Sequence, residues 1–517
     1  MNYLNSPIKL LCIFLLMALF TTCAKNDLKS DKIPIKGTLI KQSLNGVTTF
    51  IHPGVLNTSA DLDLIASQAN SGDPGRTASY QKVLDFINSQ TYPTSFPNIV
   101  YVGSNGHTSP SKDQIRNNAE LAYALALRWA KTGSITYANQ AIGILNGWAY
   151  NFQSYQLITP GVDNPNQPDL EASWTTPTFV AAAEIIRYYQ PNGLSANWSA
   201  ADINQFSNYL NLVKNNYINN TTNTGYNNNW YVSAGYAKMA IGVFLNSTSV
   251  FQSGEDIING VLPNVIYSDG TMPELCDRQD CVHYQYSLTG LTYAADIANI
   301  QGDNSLYTAL SNRISAGYDF MNNAYNQTTG CNYCSTSSAV YPGVEVAYHH
   351  YGTANMLRLR NLDAPLGVPL DNTFLGFTTF THYNLGGTSG GPPIGQTITL
   401  KGFNGLYVSG EDGLQAMDCN RTTPQAWEQF LVVDEGGGKV ALQSMGMYVS
   451  SENGLQPITC NRTSVGAWET FTWSTNTDGT ITLQGNNGKF VSSENGTQPM
   501  TCNRTTASGW ESFGVNQ

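Results

Sequence analysis

Charged side chains are scarce in this chain of 517 residues. Asp, Glu, Lys and Arg make up 12% of it, and the formal net charge is −11 at pH 7. Proteins that bind nucleic acids neutralise phosphates with clusters of Lys and Arg, and the sequence shows no such basic stripe. The composition therefore argues against a nucleic-acid partner. It does not exclude a polyanionic sugar, because a few Arg and His within one cleft set the local field.

Cysteine is also rare, with nine in the chain. Three recur at equivalent places of a C-terminal repeat, where we expect small buried core residues: Cys419, Cys460 and Cys502. Four others form two close pairs along the sequence: Cys276 with Cys281, and Cys331 with Cys334. In an exported protein we expect local disulfides there, with a four-cysteine zinc site as the alternative. The sequence has no Gly-rich phosphate loop and no strongly spaced metal-ligand cluster, so we expect no organic cofactor and no catalytic metal.

The N-terminus has the pattern of an export signal. An apolar run at residues 10–20 is too short to span a membrane, and two threonines then precede Cys23. This arrangement resembles a bacterial lipoprotein cleavage site. We expect residues 1–23 to be a signal peptide, Cys23 to be lipidated, and residues 24–47 to be a tether. The expected location is the outer membrane, cell surface or periplasm, with plain secretion as the alternative.

Residues 48–384 show a paired helical pattern. Apolar residues recur at three and four positions along 121–129, after a possible cap at 117–118. Gly133 ends this helix and Ser134 begins the next, which predicts a helical hairpin. Similar hairpins follow to about residue 323, with few convincing strands. The pattern predicts a mainly α domain, an (α/α) toroid or incomplete barrel, with a superhelical solenoid as the alternative.

A three-fold repeat with a period of about 41 residues follows a Gly/Pro linker at 385–395. Four short strands in each copy predict an all-β trefoil over residues 396–517. The segment resembles the fascin-like trefoil modules of bacterial glycan-degrading enzymes, which implies carbohydrate binding. We expect the repeated tryptophans in its core: Trp427, Trp468 and Trp510. The repeated Asn-Arg-Thr and Glu-Asn-Gly turns are then the candidates for sugar contact.

Polar residues concentrate in three stretches of the helical part. Residues 273–286 contain an Arg, a His and two Tyr at the start of a predicted helix. Residues 227–230 read Asn-Asn-Asn-Trp, also just before a helix, and residues 345–351 contain two adjacent histidines. Three of the six histidines of the chain fall in these stretches, which makes them the candidates for chemistry.

Together with residues 52–55, 60–62, 119–148 and 182–187, these stretches follow the order and spacing of a known family. Residues 50–383 resemble the alginate lyase superfamily of α/α-toroid polysaccharide lyases. The resemblance implies β-elimination of β-1,4-linked polyuronates, either mannuronate-rich alginate or glucuronan. A glycoside hydrolase using Glu274, Asp280 or Glu345 is the alternative enzyme, and a glycan-binding lipoprotein is the non-catalytic alternative.

The resemblance also implies roles for individual residues. Asn228 would neutralise the substrate carboxylate, and Arg278 would bind the anion. Tyr284 would act as base and acid, with Tyr286 or His283 as alternatives, and Arg278 would lower the tyrosine pKa. The expected substrate-binding residues are Asn229, Trp230, Gln285, His349, His350 and Trp174.

Overall fold

The computed structural model describes residues 49–362, 369–383, 392, 397–436, 439–476 and 480–516. The described residues belong to one compact unit, Val47–Gln517. The signal peptide, the tether and nearly all of the linker lie outside the described residues, so these boundaries stay predictions. Within the described residues, no helix is both long enough and apolar enough to span a membrane.

The described N-terminal part is mainly helical. Two short strands, β1 (Ile99–Val102) and β2 (Ser154–Leu157), pair in parallel. The helices are α1 (Ser59–Ser71), α2 (Pro74–Ser89), α3 (Pro110–Thr132), α4 (Ile135–Asn151), α5 (Gln167–Tyr188), α6 (Ala200–Val213), α7 (Asn219–Thr221), α8 (Asn229–Phe244), α9 (Thr248–Val265), α10 (Pro273–Arg278), α11 (His283–Ile300), α12 (Ser305–Tyr325), α13 (Gly343–Tyr351), α14 (Ala354–Leu362) and α15 (Thr378–His382).

The helices form a ring of hairpins. The inner helices α3, α5, α8, α11 and α13 pack against one another in that order. The ring returns to α3 through α15 and α1, while α4, α9, α12 and α14 pack on its outside. Alanine and aromatic residues are frequent among the buried residues of the inner helices, and the small alanine side chain lets neighbouring helices approach closely. This arrangement confirms the predicted toroid.

The first inner helix shows how the sequence sets its own limits. α3 begins after Ser109, whose side chain accepts a hydrogen bond from the backbone N–H of Lys112, and Pro110 occupies its first turn. The start predicted at 117–118 is therefore wrong by about two turns. Gly133 ends the helix with φ 64°, a left-handed conformation that glycine adopts without strain. Ser134 precedes α4 as predicted.

Two disulfides join distant segments of the chain. Cys276 bonds to Cys331 and Cys281 bonds to Cys334, across 55 and 53 residues of sequence. The expectation of local disulfides is wrong, because the start of α11 lies beside the segment after α12. All four sulfurs are used in these bonds, so the zinc alternative is wrong as well.

The C-terminal part is all-β, with four strands in each copy of the repeat. They are β3 (Thr397–Lys401), β4 (Tyr407–Ser409), β5 (Asp418–Arg421), β6 (Phe430–Gly436), β7 (Lys439–Ser444), β8 (Met447–Ser450), β9 (Thr459–Arg462), β10 (Phe471–Thr475), β11 (Ile481–Gly485), β12 (Phe490–Ser492), β13 (Thr501–Arg504) and β14 (Gly514–Asn516). Antiparallel pairing runs from β14 through β3, β6, β7 and β10 to β11. A bridge between Ile481 and Phe513 links the two ends of this series.

Three backbone hydrogen bonds express the three-fold repeat. Met417 donates to Ile458, Ile458 to Met500 and Met500 to Met417, each at 2.9 Å. Each copy thus contacts both others, as the predicted trefoil requires. The three repeat cysteines are free thiols and fully buried, which confirms their expected core role.

The repeat tryptophans do not lie in the core. Trp427, Trp468 and Trp510 are 40%, 39% and 42% exposed, so that expectation is wrong. Each lies in a short turn before a strand rather than within the strand. The residue three positions later takes the core position instead: Phe430, Phe471 and Phe513, each at most 1% exposed.

Candidate active site

The N-terminal parts of four inner helices meet at one end of the toroid. Arg116 of α3 contacts Glu171 of α5 through two hydrogen bonds of 2.6 and 2.7 Å. Trp174 of α5 donates from Nε1 to the hydroxyl of Ser233 in α8 at 3.1 Å. Its ring lies 5.5 Å from that of Tyr286 in α11. The N-terminal ends of these helices carry partial positive charge, which favours an anion at this end.

His283 opens α11 and is held from both sides of its ring. Asp280 accepts the backbone N–H groups of Val282 and His283, and its Oδ2 lies 2.7 Å from His283 Nδ1. The ionised carboxylate accepts a hydrogen bond from Nδ1–H, which keeps the proton on Nδ1 and leaves the lone pair on Nε2. Arg278 Nη2 lies 3.2 Å from that Nε2. Burial lowers the pKa of His283, an effect that Asp280 opposes and the charge of Arg278 reinforces. The imidazole is therefore neutral at pH 7.

Tyr286 faces His283, with ring centroids 5.5 Å apart. Its hydroxyl donates to Asp371 Oδ2 at 2.7 Å, and the hydroxyl of Tyr341 donates to the same oxygen at 3.0 Å. Burial and then the charge of Asp371 raise the pKa of both tyrosines well above the usual range. Both phenols therefore keep their protons at neutral pH. The site combines a neutral imidazole with a proton-bearing phenol.

Trp174 forms a wall of this cluster. Its ring is 9% exposed and packs against Tyr286 on one side. The guanidinium of Arg116 lies 5.1 Å from the ring centroid, and Arg116 also donates to Thr373 at 3.1 Å. Trp174 thus contacts the cluster but is used mostly for packing, and its substrate-binding role stays a prediction.

The Asn-Asn-Asn-Trp stretch reaches the same end of the toroid at the start of α8. Asn228 caps the helix, since its Oδ1 accepts the backbone N–H of Trp230 at 3.2 Å. Asn229 is buried and donates to Glu274 Oε1 at 2.5 Å, while Ser287 donates to Glu274 Oε2 at 2.9 Å. Burial raises the pKa of Glu274 to about 7, against the effect of these hydrogen bonds. Asn229 therefore joins α8 to α10 and α11, and its side chain does not line the surface.

Trp230 lies at the rim. It is partly buried, and its ring centroid is 4.7 Å from that of the exposed Tyr226. Tyr226 accepts a hydrogen bond from Asn164 at 3.1 Å, which connects the rim to the loop before α5. The two rings form an aromatic pair at the start of α8, and the substrate-binding role of Trp230 stays a prediction.

Tyr284 does not reach the site. It is fully buried, and its hydroxyl lies 3.2 Å from Cys334 Sγ and 3.8 Å from Cys281 Sγ. Burial raises its pKa well above the usual value, and Arg278 is not among the groups that shift it. The predicted catalytic role of Tyr284 is therefore inconsistent with its position, because the opposite face of α11 presents Tyr286.

Gln285 is likewise buried, at 1% exposure. Its Oε1 accepts the backbone N–H of Tyr341 at 3.0 Å, and its Nε2 donates to the carbonyl of Ala339 at 3.1 Å. The predicted substrate-binding residue instead fixes the segment that brings Tyr341 to Asp371.

His349 and His350 lie far from the cluster. α11 has 18 residues and is about 27 Å long. His283 is the first residue of α11. His350 stacks on Tyr307, with ring centroids 3.5 Å apart, and Tyr307 lies in α12, beyond the C-terminal end of α11. Burial lowers the pKa of His349 to about 4 and that of His350 to about 3. Their predicted substrate-binding role is inconsistent with this placement, because they pack at the other end of the toroid.

Three residues of the cluster were not predicted from the sequence. Tyr341 and Asp371 lie outside the helices, 55 and 85 positions after Tyr286. Arg116 precedes the stretch whose periodicity defined α3. Only the closure of the ring brings these residues to Tyr286, so no local pattern could have identified them.

Comparison with protein families and with curated proteins gives one family match. The family model described as alginate lyase matches residues 63–329, more than half of the 517-residue chain. No curated protein matches the chain.

Two solved structures with a TM-score of 0.50 share the fold. Alginate lyase A1-III from Sphingomonas species A1 is 19% identical, with a TM-score of 0.50 over 64% of this chain and 97% of that one. A Tyr-to-Phe variant of alginate lyase A1-III, complexed with a tetrasaccharide, is 17% identical over 66% and 98% of the two chains, also at 0.50. An alginate lyase from Bacteroides ovatus is 12% identical over 65% and 100%, at 0.49. With the family match, the toroid and the site geometry, the chain belongs to the alginate lyase family and is a polysaccharide lyase.

Proposed function

We propose that the enzyme cleaves β-1,4-linked polyuronates, either mannuronate-rich alginate or glucuronan, by β-elimination. The observation that carries this proposal is the pairing of His283 with Tyr286. One is a neutral imidazole with a basic Nε2, and the other is a phenol that keeps its proton. Environments that push two pKa values apart in this way define a base and an acid.

The elimination uses both groups on one sugar. His283 Nε2 takes the proton from C5, which lies next to the uronate carboxylate. The electron pair forms the C4–C5 double bond and the C4–O4 bond breaks, while Tyr286 gives its proton to the leaving O4. The products are a chain with a new hydroxyl end and a chain with a 4,5-unsaturated uronate. Proton transfer from His283 back to Tyr286, directly or through water, restores the site.

Arg278 provides the charge that the reaction needs. Removal of the C5 proton places negative charge on the carboxylate, which a guanidinium stabilises. Arg278 is exposed, and it lies against His283 Nε2. A uronate carboxylate that attracts Arg278 would therefore free Nε2 to accept the proton. Asn228, at the mouth of the same end, remains the predicted amide partner of the carboxylate.

The three carboxylates predicted for the hydrolase alternative do not form a catalytic pair. Both oxygens of Glu274 are engaged by Asn229 and Ser287 within the core. Asp280 holds His283. Glu345 lies on α13, where it binds Arg360 at 2.7 Å and Thr379 at 2.8 Å. Glycoside hydrolysis needs two carboxyl groups that flank one bond.

The remaining roles rest on the sequence. We propose that the trefoil binds glycan and keeps the enzyme near polysaccharide. We also propose export, with a lipid anchor on Cys23 at the outer membrane or cell surface.

A substrate panel tests the proposed reaction. The full chain is incubated separately with polymannuronate, polyguluronate, glucuronan and an uncharged glucan. Ultraviolet absorbance reports the unsaturated product, and a reducing-end assay runs in parallel. We expect both signals to rise together on a polyuronate. Reducing ends without ultraviolet absorbance would establish hydrolysis and contradict the proposal.

A further inference from the structure

The trefoil carries three similarly exposed tryptophans that are not part of its hydrophobic core. Their exposed fractions differ by only a few per cent: Trp427 40%, Trp468 39% and Trp510 42%. The trefoil core is built from other residues. Each tryptophan contributes a backbone carbonyl, which accepts the N–H of Gly410, Ser451 or Ser493 at 2.8 Å. Any residue could supply that carbonyl, so the fold does not account for an indole at all three places.

An arginine held between two glutamates accompanies each tryptophan. The first glutamate of each set bonds the arginine Nη2 at 2.5 to 2.6 Å: Glu411 to Arg421, Glu452 to Arg462 and Glu494 to Arg504. The second glutamate directly follows the tryptophan and lies 3.7 to 3.9 Å from the arginine Nε: Glu428, Glu469 and Glu511. We call each set of tryptophan, arginine and two glutamates a Trp–Arg unit.

The charge of these units disfavours an anionic ligand. Each unit has one positive and two negative groups, hence a net charge of −1, and its guanidinium is already paired. Over residues 397–517 there are three Lys and three Arg against four Asp and seven Glu, so the net charge is 6 − 11 = −5. A polyuronate would be repelled by this surface. An uncharged sugar ring would not, and its apolar face suits an exposed indole.

We propose that the trefoil has three equivalent binding sites for uncharged glycans, in which sugar rings stack on Trp427, Trp468 and Trp510. The inference rests on the proposed glycan-binding role of the trefoil and specifies its ligand. An exposed asparagine beside each arginine offers its amide to sugar hydroxyls: Asn420, Asn461 and Asn503. The trefoil therefore binds a different polymer from the one that the toroid cleaves.

Three weak sites on one domain bind a long polymer by avidity. Loss of one stacking contact should raise the dissociation constant of that site about two- to ten-fold. A chain that engages several sites loses more when several are removed together. Single substitutions should therefore weaken binding partially, and the triple substitution should abolish it.

Affinity electrophoresis of the full chain tests the proposal. Native gels contain either an uncharged polysaccharide (a β-glucan, a galactan or a mannan) or alginate, at low and high salt. The variants are Trp427→Ala, Trp468→Ala and Trp510→Ala, singly and together. A control carries Leu414→Ala and Leu455→Ala, two trefoil side chains that are 82% and 81% exposed but not aromatic. Thermal unfolding confirms that each variant is folded, and the rate on soluble polyuronate is measured for all.

We expect at least one uncharged polysaccharide to retard the wild type and the leucine control at both salt concentrations. The triple variant should migrate freely and keep its lyase rate. Retardation by alginate alone, lost at high salt, would overturn the inference but leave glycan binding by the trefoil intact. Retardation by none of the polymers would overturn both. A chain retarded by an uncharged glycan but inactive on every polyuronate would contradict only the proposed reaction.

Discussion

Removal of one hydroxyl from either of two neighbouring tyrosines should have opposite consequences. Successive residues of an α-helix are rotated by about 100°, so residues two positions apart face nearly opposite sides. Tyr286 faces His283 and Asp371, whereas Tyr284 faces the Cys281–Cys334 disulfide. Tyr286→Phe and Tyr284→Phe are thus the same chemical change, the first within the candidate active site and the second on the opposite face of α11.

The expected magnitudes follow from these contacts. Loss of a positioned general acid slows a reaction by about 10²- to 10⁴-fold, or about 3–5 kcal/mol in activation free energy. The effect of Tyr286→Phe on the free energy of unfolding is about 1 kcal/mol, since Asp371 retains the hydrogen bond from Tyr341 at 3.0 Å. Tyr284→Phe removes only contacts to disulfide sulfur, a weak acceptor, and should cost less than about 1 kcal/mol.

The assay measures the initial rise of ultraviolet absorbance on polyuronate, with urea unfolding of each variant as the control. We expect Tyr286→Phe to be folded and nearly inactive and Tyr284→Phe to be folded and active. Wild-type rates for Tyr286→Phe would refute the assignment of the acid. An inactive but stable Tyr284→Phe would show that α11 is rotated so that Tyr284, and not Tyr286, faces His283.

Three further predictions concern the same end of the toroid. Asp280→Asn removes the carboxylate that fixes the proton on His283 Nδ1. We therefore expect kcat to fall about 10²-fold with little change in the unfolding midpoint. An unchanged kcat would exclude His283 as the base. Arg278→Gln removes a positive charge that lowers the pKa of His283. That pKa should therefore rise, and the acid limb of the kcat/KM profile should move to higher pH. A limb that stays in place or moves to lower pH would contradict the contact between Arg278 and His283. Cys281→Ala with Cys334→Ala opens the second of two neighbouring disulfides. Because Cys276–Cys331 still closes the long loop, the loss releases a ring of about ten residues, which should reduce the free energy of unfolding by about 3 kcal/mol and loosen Tyr341. Denaturant unfolding and the lyase rate measure both effects, and unchanged stability would show that the link is not formed in solution.

The sequence predicted the toroid because a helix repeats its apolar residues locally. Gly133 and Ser134 delimit helices through interactions within a few residues, so their effect is visible without tertiary structure. The trefoil was equally accessible, since its three copies repeat the same pattern of strands and turns.

The site itself was only partly predictable. His283 and Arg278 were identified because they lie close together in the chain. The choice between Tyr284 and Tyr286 depends on the rotation of α11, which the disulfides to a segment over 50 residues away help to fix. Asp371 and Tyr341 enter only through ring closure. The tryptophan repeat misled for a related reason, because aromatic periodicity does not distinguish a core position from an exposed turn.

The ring of backbone hydrogen bonds in the trefoil has a consequence for how that domain unfolds. Each copy donates to a neighbour and accepts from the other, and the glycine turn of each copy packs against the cysteine carbonyl of another. A Cβ at Gly413, Gly454 or Gly496 would lie 2.7, 2.4 or 2.4 Å from that oxygen. No copy can therefore fray without removing a support from both others. The trefoil should unfold in one step, and a substitution that unfolds one copy should unfold all three.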